Sequence, residues 1–208
     1  MSPNSNSAMN NEKPNRTLTN WQKSEKSLLN YQMYLDRKPD KFHLTLIDLL
    51  YISNFKGGNA TINEDEQVIE EKLKAYGHIL LLIKQELSVQ TLAELSDLGM
   101  ERLIELSDKF LALSNHSETA IDGFKSSYLS ALLHAYFPNL LPILDRRLLI
   151  NLGLIDVSHL STDGQVKNIA TFYPQLIRKI CEVCKSSNKT IRDVDKDYFI
   201  IQLPEWAK

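Results

Sequence analysis

The sequence predicts a mainly α-helical protein, on three observations. Apolar residues recur at intervals of three and four, as in SSYLSALLHAYF, where Leu129, Leu132, Leu133 and Tyr136 fall at i, i+3, i+4 and i+7 and so share one helix face. Most such stretches begin at a capping residue or stop at proline or glycine. Only IDLLYIS and YFIIQL have strand-like composition, and both sit inside segments of helical length.

Residues 1–16 are rich in Asn, Ser and Pro and have little to bury, which predicts a disordered tail ahead of one compact multi-helix domain over residues 17–208. The first helix carries Trp21, Leu28, Leu29, Tyr31 and Tyr34 and stops before Pro39, because the residue preceding proline is pushed out of helical geometry. A second runs from Phe42 to Ile52 with Phe42, Leu46, Leu49 and Leu50 on one side, and KGGN ends it. Asn63 is expected as the N-cap of a third, from Glu64 to Glu86, where Glu64, Asp65 and Glu66 suit the positive end of the helix dipole. Val68, Leu73, Tyr76, Leu80 and Ile83 form its inner face.

LAELSD and, eleven residues later, LIELSD read as two successive short helices. The likeness is too short for a solenoid repeat. Leu92, Leu95 and Leu98, then Leu103, Leu106, Phe110 and Leu113, supply their apolar faces. After a turn at His116 to Gly123 comes SSYLSALLHAYF, ended by Pro138, then a short helix from Arg146 to Leu152 and a polar loop with Asp163 and Gly164. A helix from Val166 to Lys185 carries a kink at Pro174, whose ring and missing amide interrupt the ladder. Thr190 and Asp193 make a capping-box-like pair for the last helix.

The bulk properties narrow the function classes. A net charge of −2 and a pI near 6.2 leave no general basic footprint for nucleic acid, so a nucleic-acid site would have to be a local basic patch. No apolar stretch reaches membrane-spanning length and the start MSPNSNSAMNNEKPN lacks a signal-peptide core; a cytoplasmic protein with no membrane partner is expected. Cys181 and Cys184 cannot supply a disulfide framework. They fit the core edge beside Ile177 and Ile180; a zinc site would need two further ligands, His159 being the nearest candidate. No metal or cofactor is expected. Lys56, Gly57 and Gly58 lack the spacing and preceding strand of a phosphate loop, so they read as a flexible turn.

The stretch IDGFKSSYLSALLHAYFPNLLPILDRR, residues 121–147, carries a family likeness. Gly123-Phe124-Lys125 followed by Pro142-Ile143-Leu144-Asp145 resembles the hairpin and acidic segment of the helix-hairpin-helix DNA glycosylase superfamily, in particular the 8-oxoguanine DNA glycosylase fold. Leu133-His134, Pro138, the Pro142 to Arg146 run and TIRDVDKDYF resemble a group of small bacterial proteins of that fold, over roughly residues 60–202. Ile121 stands where the first hairpin glycine would, and Asp145 lies one residue further from its proline.

The resemblance implies a helical DNA-glycosylase fold, DNA as partner and an extrahelical base as target, since a stacked base hides its glycosidic bond. It implies that Lys125 attacks the sugar and that Asp145 stabilises the positive charge developing there. Gly123, Tyr128, His134, Arg146 and Arg147 would be binding residues. The residues themselves allow plainer roles: Asp145 as the cap of RRLLINL, Lys125 as an exposed first-turn lysine, Arg146 and Arg147 as ion-pair partners. Likewise His134 could be bonded to a backbone carbonyl and Tyr128 could be core. The rival reading is a non-catalytic helical module that binds another protein.

Overall fold

Thr190 shows how the sequence sets its helix starts: its hydroxyl accepts from the Asp193 amide at 3.1 Å, and the Asp193 carboxylate takes both the Thr190 hydroxyl, at 2.7 Å, and the Thr190 amide, at 3.2 Å. This reciprocal pair satisfies amide groups that would otherwise lack partners. The computed structural model describes residues 16–58, 60–87 and 90–207. Among them are eight α-helices: α1 (Arg16–Arg37), α2 (Leu46–Phe55), α3 (Glu66–Leu87), α4 (Asp97–Ala112), α5 (Ser126–Tyr136), α6 (Arg146–Asn151), α7 (Tyr173–Ser187) and α8 (Ile191–Ile200). The mainly α class is therefore observed, with one isolated bridge, Leu160 to Val166, and no strand among the described residues. Of the expected N-terminal tail, residues 1–15 lie outside the described residues, and Arg16 already begins α1.

α5 is the axis of the packing. Every residue from Leu129 to Tyr136 is buried, as expected of a helix surrounded by other elements. α1 packs on α2, α5 and α8; α4 packs on α3, α5 and α7; α8 closes against α1, α6 and α7. The apolar faces meet in one hydrophobic cluster that includes Tyr31, Leu73, Phe110, Leu133, Leu148 and Ile180.

The polar side chains of α5 hold the segment that leads to Asp145. Ser130 Oγ accepts from the Leu144 amide at 2.8 Å, Ser127 Oγ donates to the Leu144 carbonyl at 2.9 Å, and His134 Nδ1 lies 2.7 Å from the Leu141 carbonyl. Tyr173, on α7, donates to the Pro142 carbonyl at 2.8 Å. Buried backbone groups need such partners, and here four side chains supply them to a crossing with no ladder of its own. Asp145 is thereby delivered to a fixed place.

Several boundaries differ from expectation, each for a local reason. α2 starts at Leu46 rather than Phe42, because the Asp48 carboxylate captures the Thr45 amide at 2.7 Å and makes Thr45 the N-cap. α3 starts at Glu66, not at Glu64, and Asn63 is not its cap. Glu64 instead pairs with Lys72 and accepts from the Asp122 amide at 2.9 Å. LAELSD forms only a 3-10 turn, Leu92–Glu94, ahead of α4, so the expected two helices are one turn and one helix. Pro174 does not kink a long helix; it occupies the first turn of α7, where proline's missing amide costs nothing. Leu50, Val68 and Leu98 are exposed rather than internal, and Ile69 takes the buried position in α3.

Candidate functional site: a cleft between the chain's two ends

The KGG turn closes α2 by backbone bonds alone. Gly58 donates to the Ser53 carbonyl at 2.7 Å and Gly57 to the Asn54 carbonyl at 3.2 Å, with φ of +94° at Gly57. These are the paired bonds of a left-handed C-cap, a conformation that glycine adopts without strain. The turn reading of this stretch is thus the observed one, and no phosphate cradle is formed. Yet the same turn aims the Lys56 side chain inward, where its Nζ stands 3.5 Å from Asp145 Oδ2.

Lys56 and Asp145 line a cleft of about 590 Å³, which falls within the roughly 300–1,000 Å³ typical of small-ligand sites. Its walls come from α1, the end of α2, the start of α6 and α8. Trp21, Phe55, Ile143 and Phe199 form the apolar surface; Asn20, Ser24, Ser27 and Asn54 supply amides and hydroxyls; Lys23, Lys56, Arg192, Asp145 and Asp195 carry charge. Trp21 and Phe199 meet with ring centroids 5.3 Å apart. A second cleft, of about 240 Å³, lies by Lys41, Tyr136 and Pro138 and contains no carboxylate.

Asp145 does cap α6, its Oδ1 accepting from the Arg147 amide at 2.8 Å. That bond uses one oxygen and leaves the other facing Lys56. Asp195 follows from the phase of α8. The Thr190 start places Ile191, Val194 and Asp195 on the buried face, so a carboxylate stands where the pattern calls for an apolar residue. Arg192 binds it from the same helix and also reaches Glu25 of α1, Nε to Oε2 at 2.7 Å. The Arg192 guanidinium carbon lies over Trp21, 3.8 Å from the ring centroid, a favourable cation–π placement. Burial pushes the Asp195 carboxyl up to about 6; the Asp145 charge adds to that shift, while Arg192 and Lys56 oppose it.

The residues singled out from sequence take separate places. Lys125 is exposed at the N-cap of α5 and does not line the cleft that holds Asp145, so the expected pairing of Lys125 with Asp145 in that cleft is replaced by Lys56 with Asp145. Gly123 has φ of +77°, and a Cβ there would stand 2.7 Å from the Thr61 carbonyl oxygen. Its free side is occupied by neighbouring backbone rather than open to a phosphate. Tyr128 is half-buried against Phe124, with ring centroids 5.2 Å apart.

His134 is buried beneath the Leu141 carbonyl, and burial together with the Arg192 charge lowers its pKa to about 4. It is therefore neutral near pH 7 and fixed as a structural donor. Arg147 donates from Nε to the Phe199 carbonyl and from Nη2 to the Ile201 carbonyl, both at 2.9 Å. It thus neutralises the last carbonyls of α8, as a cation at a helix C-terminus should. Arg146 donates to the Ala207 carbonyl, and its Nε is buried without a partner among the described residues. Cys181 and Cys184 are both free and buried, with Cys181 Sγ 3.3 Å from the Leu92 carbonyl. No group of three or more metal-ligating side chains occurs among the described residues, and no helix there is long and apolar enough to cross a membrane.

Comparison with family models, with curated proteins and with solved structures finds no match to this chain. The cleft's chemistry therefore rests on its own geometry. Sequence reasoning missed Lys56, Asp195 and Arg192. Asp195 had a signal: a carboxylate at i+4 from Ile191 and i+1 from Val194, inside an otherwise apolar stripe. Lys56 stood out only as part of the KGG turn, and nothing local pointed it to Asp145.

Proposed function

We propose that the protein binds DNA and receives an extrahelical base in this cleft, where its glycosidic bond is cleaved by water. The observation that carries the reading is the joining in one space of an aromatic wall, an amide and hydroxyl edge and two carboxylates. A flipped base needs a flat apolar surface to replace its stacking neighbours and polar groups for its edge. Phe199, partly exposed beside the buried Trp21 and Phe55, meets the first need; Asn20, Asn54 and Ser27 meet the second.

Asp145 is the group that faces the sugar. Cleaving a glycosidic bond builds positive charge on the ring, and an ionised carboxylate held in place stabilises it. The amide of Arg147 and the ammonium of Lys56 hold Asp145 from two sides, so it is oriented before any substrate arrives. An amine nucleophile is not part of this reading, because Lys125 lies outside the cleft and Lys56 is engaged as a cation. Phosphate contact falls to few groups, chiefly Lys23 on the rim, which matches the chain's small net charge.

The test is binding and base release on duplexes carrying one unpaired nucleotide, with Trp21 emission, read in a Trp206→Phe background, as the binding signal. The expected results are saturable binding with a shallow salt dependence, reflecting few phosphate contacts, release of free base, and no covalent adduct on borohydride treatment. Absence of both binding and release across unpaired purines and pyrimidines overturns the reading in favour of the non-catalytic module. A borohydride-trapped adduct would instead restore a lysine nucleophile.

A further inference from the structure

Asp195 is the one carboxylate of the cleft that caps no helix. Arg192 holds one of its oxygens, and the residue is 3% exposed, yet it lines the cleft together with Asp145. Burying a carboxylate on the apolar face of α8 costs stability that an apolar side chain there would not. Arg192 also pairs with Glu25 and lies over Trp21, so its charge has a partner apart from Asp195.

Resting on the excision reading above, we infer that Asp195 is the proton donor of this cleft, delivering its proton to the departing base while Asp145 serves the sugar. The bond between C1′ and the base nitrogen breaks, and its electron pair goes to the base, which takes the Asp195 proton. Water bonds to C1′ and gives its own proton to Asp145. One water is consumed, and the two carboxyls return to their starting states by exchange with solvent. Two carboxyls with one acid and one base role need environments that separate them. Here the difference is structural: Asp145 is partly exposed and receives a backbone amide and an ammonium, whereas Asp195 is enclosed by α8 and the cleft wall.

The groups facing Asp195 make the same division. Arg192 comes from its own helix, Lys56 from the end of α2 and Asp145 from the start of α6. α1 contributes Glu25 through Arg192; on the other side of Arg192, His134 of α5 is neutral near pH 7 and adds no charge. A carboxyl shifted up to about 6 retains a protonated fraction near neutrality, the condition that favours general acid catalysis.

The test is Asp195→Asn, whose amide oxygen still accepts from Arg192, assayed on duplexes carrying one unpaired adenine, hypoxanthine or N7-methylguanine. N7-methylguanine already carries a positive charge and departs without needing a proton. The variant should release adenine and hypoxanthine about 10²- to 10⁴-fold more slowly and N7-methylguanine with less than about tenfold loss. For the first two bases the wild-type kcat/KM should fall as pH rises above about 6, and the variant should lack that limb. Equal loss on all three bases, with unchanged far-UV circular dichroism and DNA binding, overturns the donor role and leaves excision standing. No release of any of the three by the wild type, with DNA still bound, overturns excision and the donor role with it.

Discussion

Two lysine–aspartate pairs flank α2, and they are built in opposite ways. At its start, Lys38 and Asp48 meet at 2.6 Å with side chains 8% and 0% exposed. Asp48 also accepts from the Tyr31 hydroxyl at 2.9 Å, the Thr45 amide at 2.7 Å and the Thr45 hydroxyl at 3.2 Å. At its end, Lys56 and Asp145 stand 3.5 Å apart, 15% and 25% exposed, and only the Arg147 amide adds to Asp145. The first carboxylate is saturated and ties α1 to α2. The second keeps acceptor capacity turned towards a cleft. Residue type and charge are the same in both; what separates a structural pair from a candidate reactive one is how many partners the fold has already supplied.

Breaking the saturated pair should have the largest effect. Asp48→Ala strands the Lys38 ammonium in the interior and takes the carboxylate from the Tyr31 hydroxyl, and about 3–5 kcal/mol of stability should be lost, read as a shift in the urea midpoint. If the loss is under about 1 kcal/mol, the contrast between the pairs is wrong at its root.

Asp195→Asn sharpens the contrast through pH. The folded Asp195 carboxyl is raised to about 6, so the native state binds the extra proton and stability falls as pH rises from about 4 to about 6. His134 is lowered to about 4; there the unfolded state binds the extra proton, and stability rises between about pH 4 and 6.5. The two slopes oppose each other in the wild type. Removing Asp195 should leave the His134 rise exposed, so the unfolding free energy of the variant should climb with pH relative to wild type, by about 2–3 kcal/mol over the window.

Smaller effects follow at the open pair. Arg147→Met removes the cation from the α8 carbonyls and should cost about 1–2 kcal/mol, with faster amide exchange in α8. Asp145→Ala should cost about 1 kcal/mol as a lost cap, and Asp145→Asn only a few tenths; both should abolish base release. Lys56→Met should leave stability within about 1 kcal/mol. If Lys56→Met instead unfolds the protein as Asp48→Ala does, the end of α2 is a structural pair after all.

How much of this was legible in the sequence differs along the chain. Capping signals at Thr190 and Asp145 are local, because both partners lie within three residues, and both were readable. Periodicity placed the core of α5 but gave Leu50 and Leu98 the wrong side, since an apolar residue at a stripe's edge has no sequence mark that separates edge from centre. Pro174 fits a kink and a helix start equally well until the preceding residues are seen to form a 3-10 turn, Ile169–Phe172. Of the cleft, only Asp145 was legible. The cleft's charged groups sit at 23, 56, 145, 192 and 195, and no local spacing links them.

Arg192 and Glu25 are 167 residues apart in the chain, which has a consequence for how the molecule acquires its site during synthesis. Most of the core can form while the C-terminal part is still in the ribosome, because α1 to α5 already pack on one another. The cleft cannot: until α8 emerges, Trp21 has no guanidinium over it and Asp145 faces water on the side that α8 will close. Contacts this distant form late. A nascent chain therefore passes through a stage with most of its hydrophobic interior and none of its candidate chemistry.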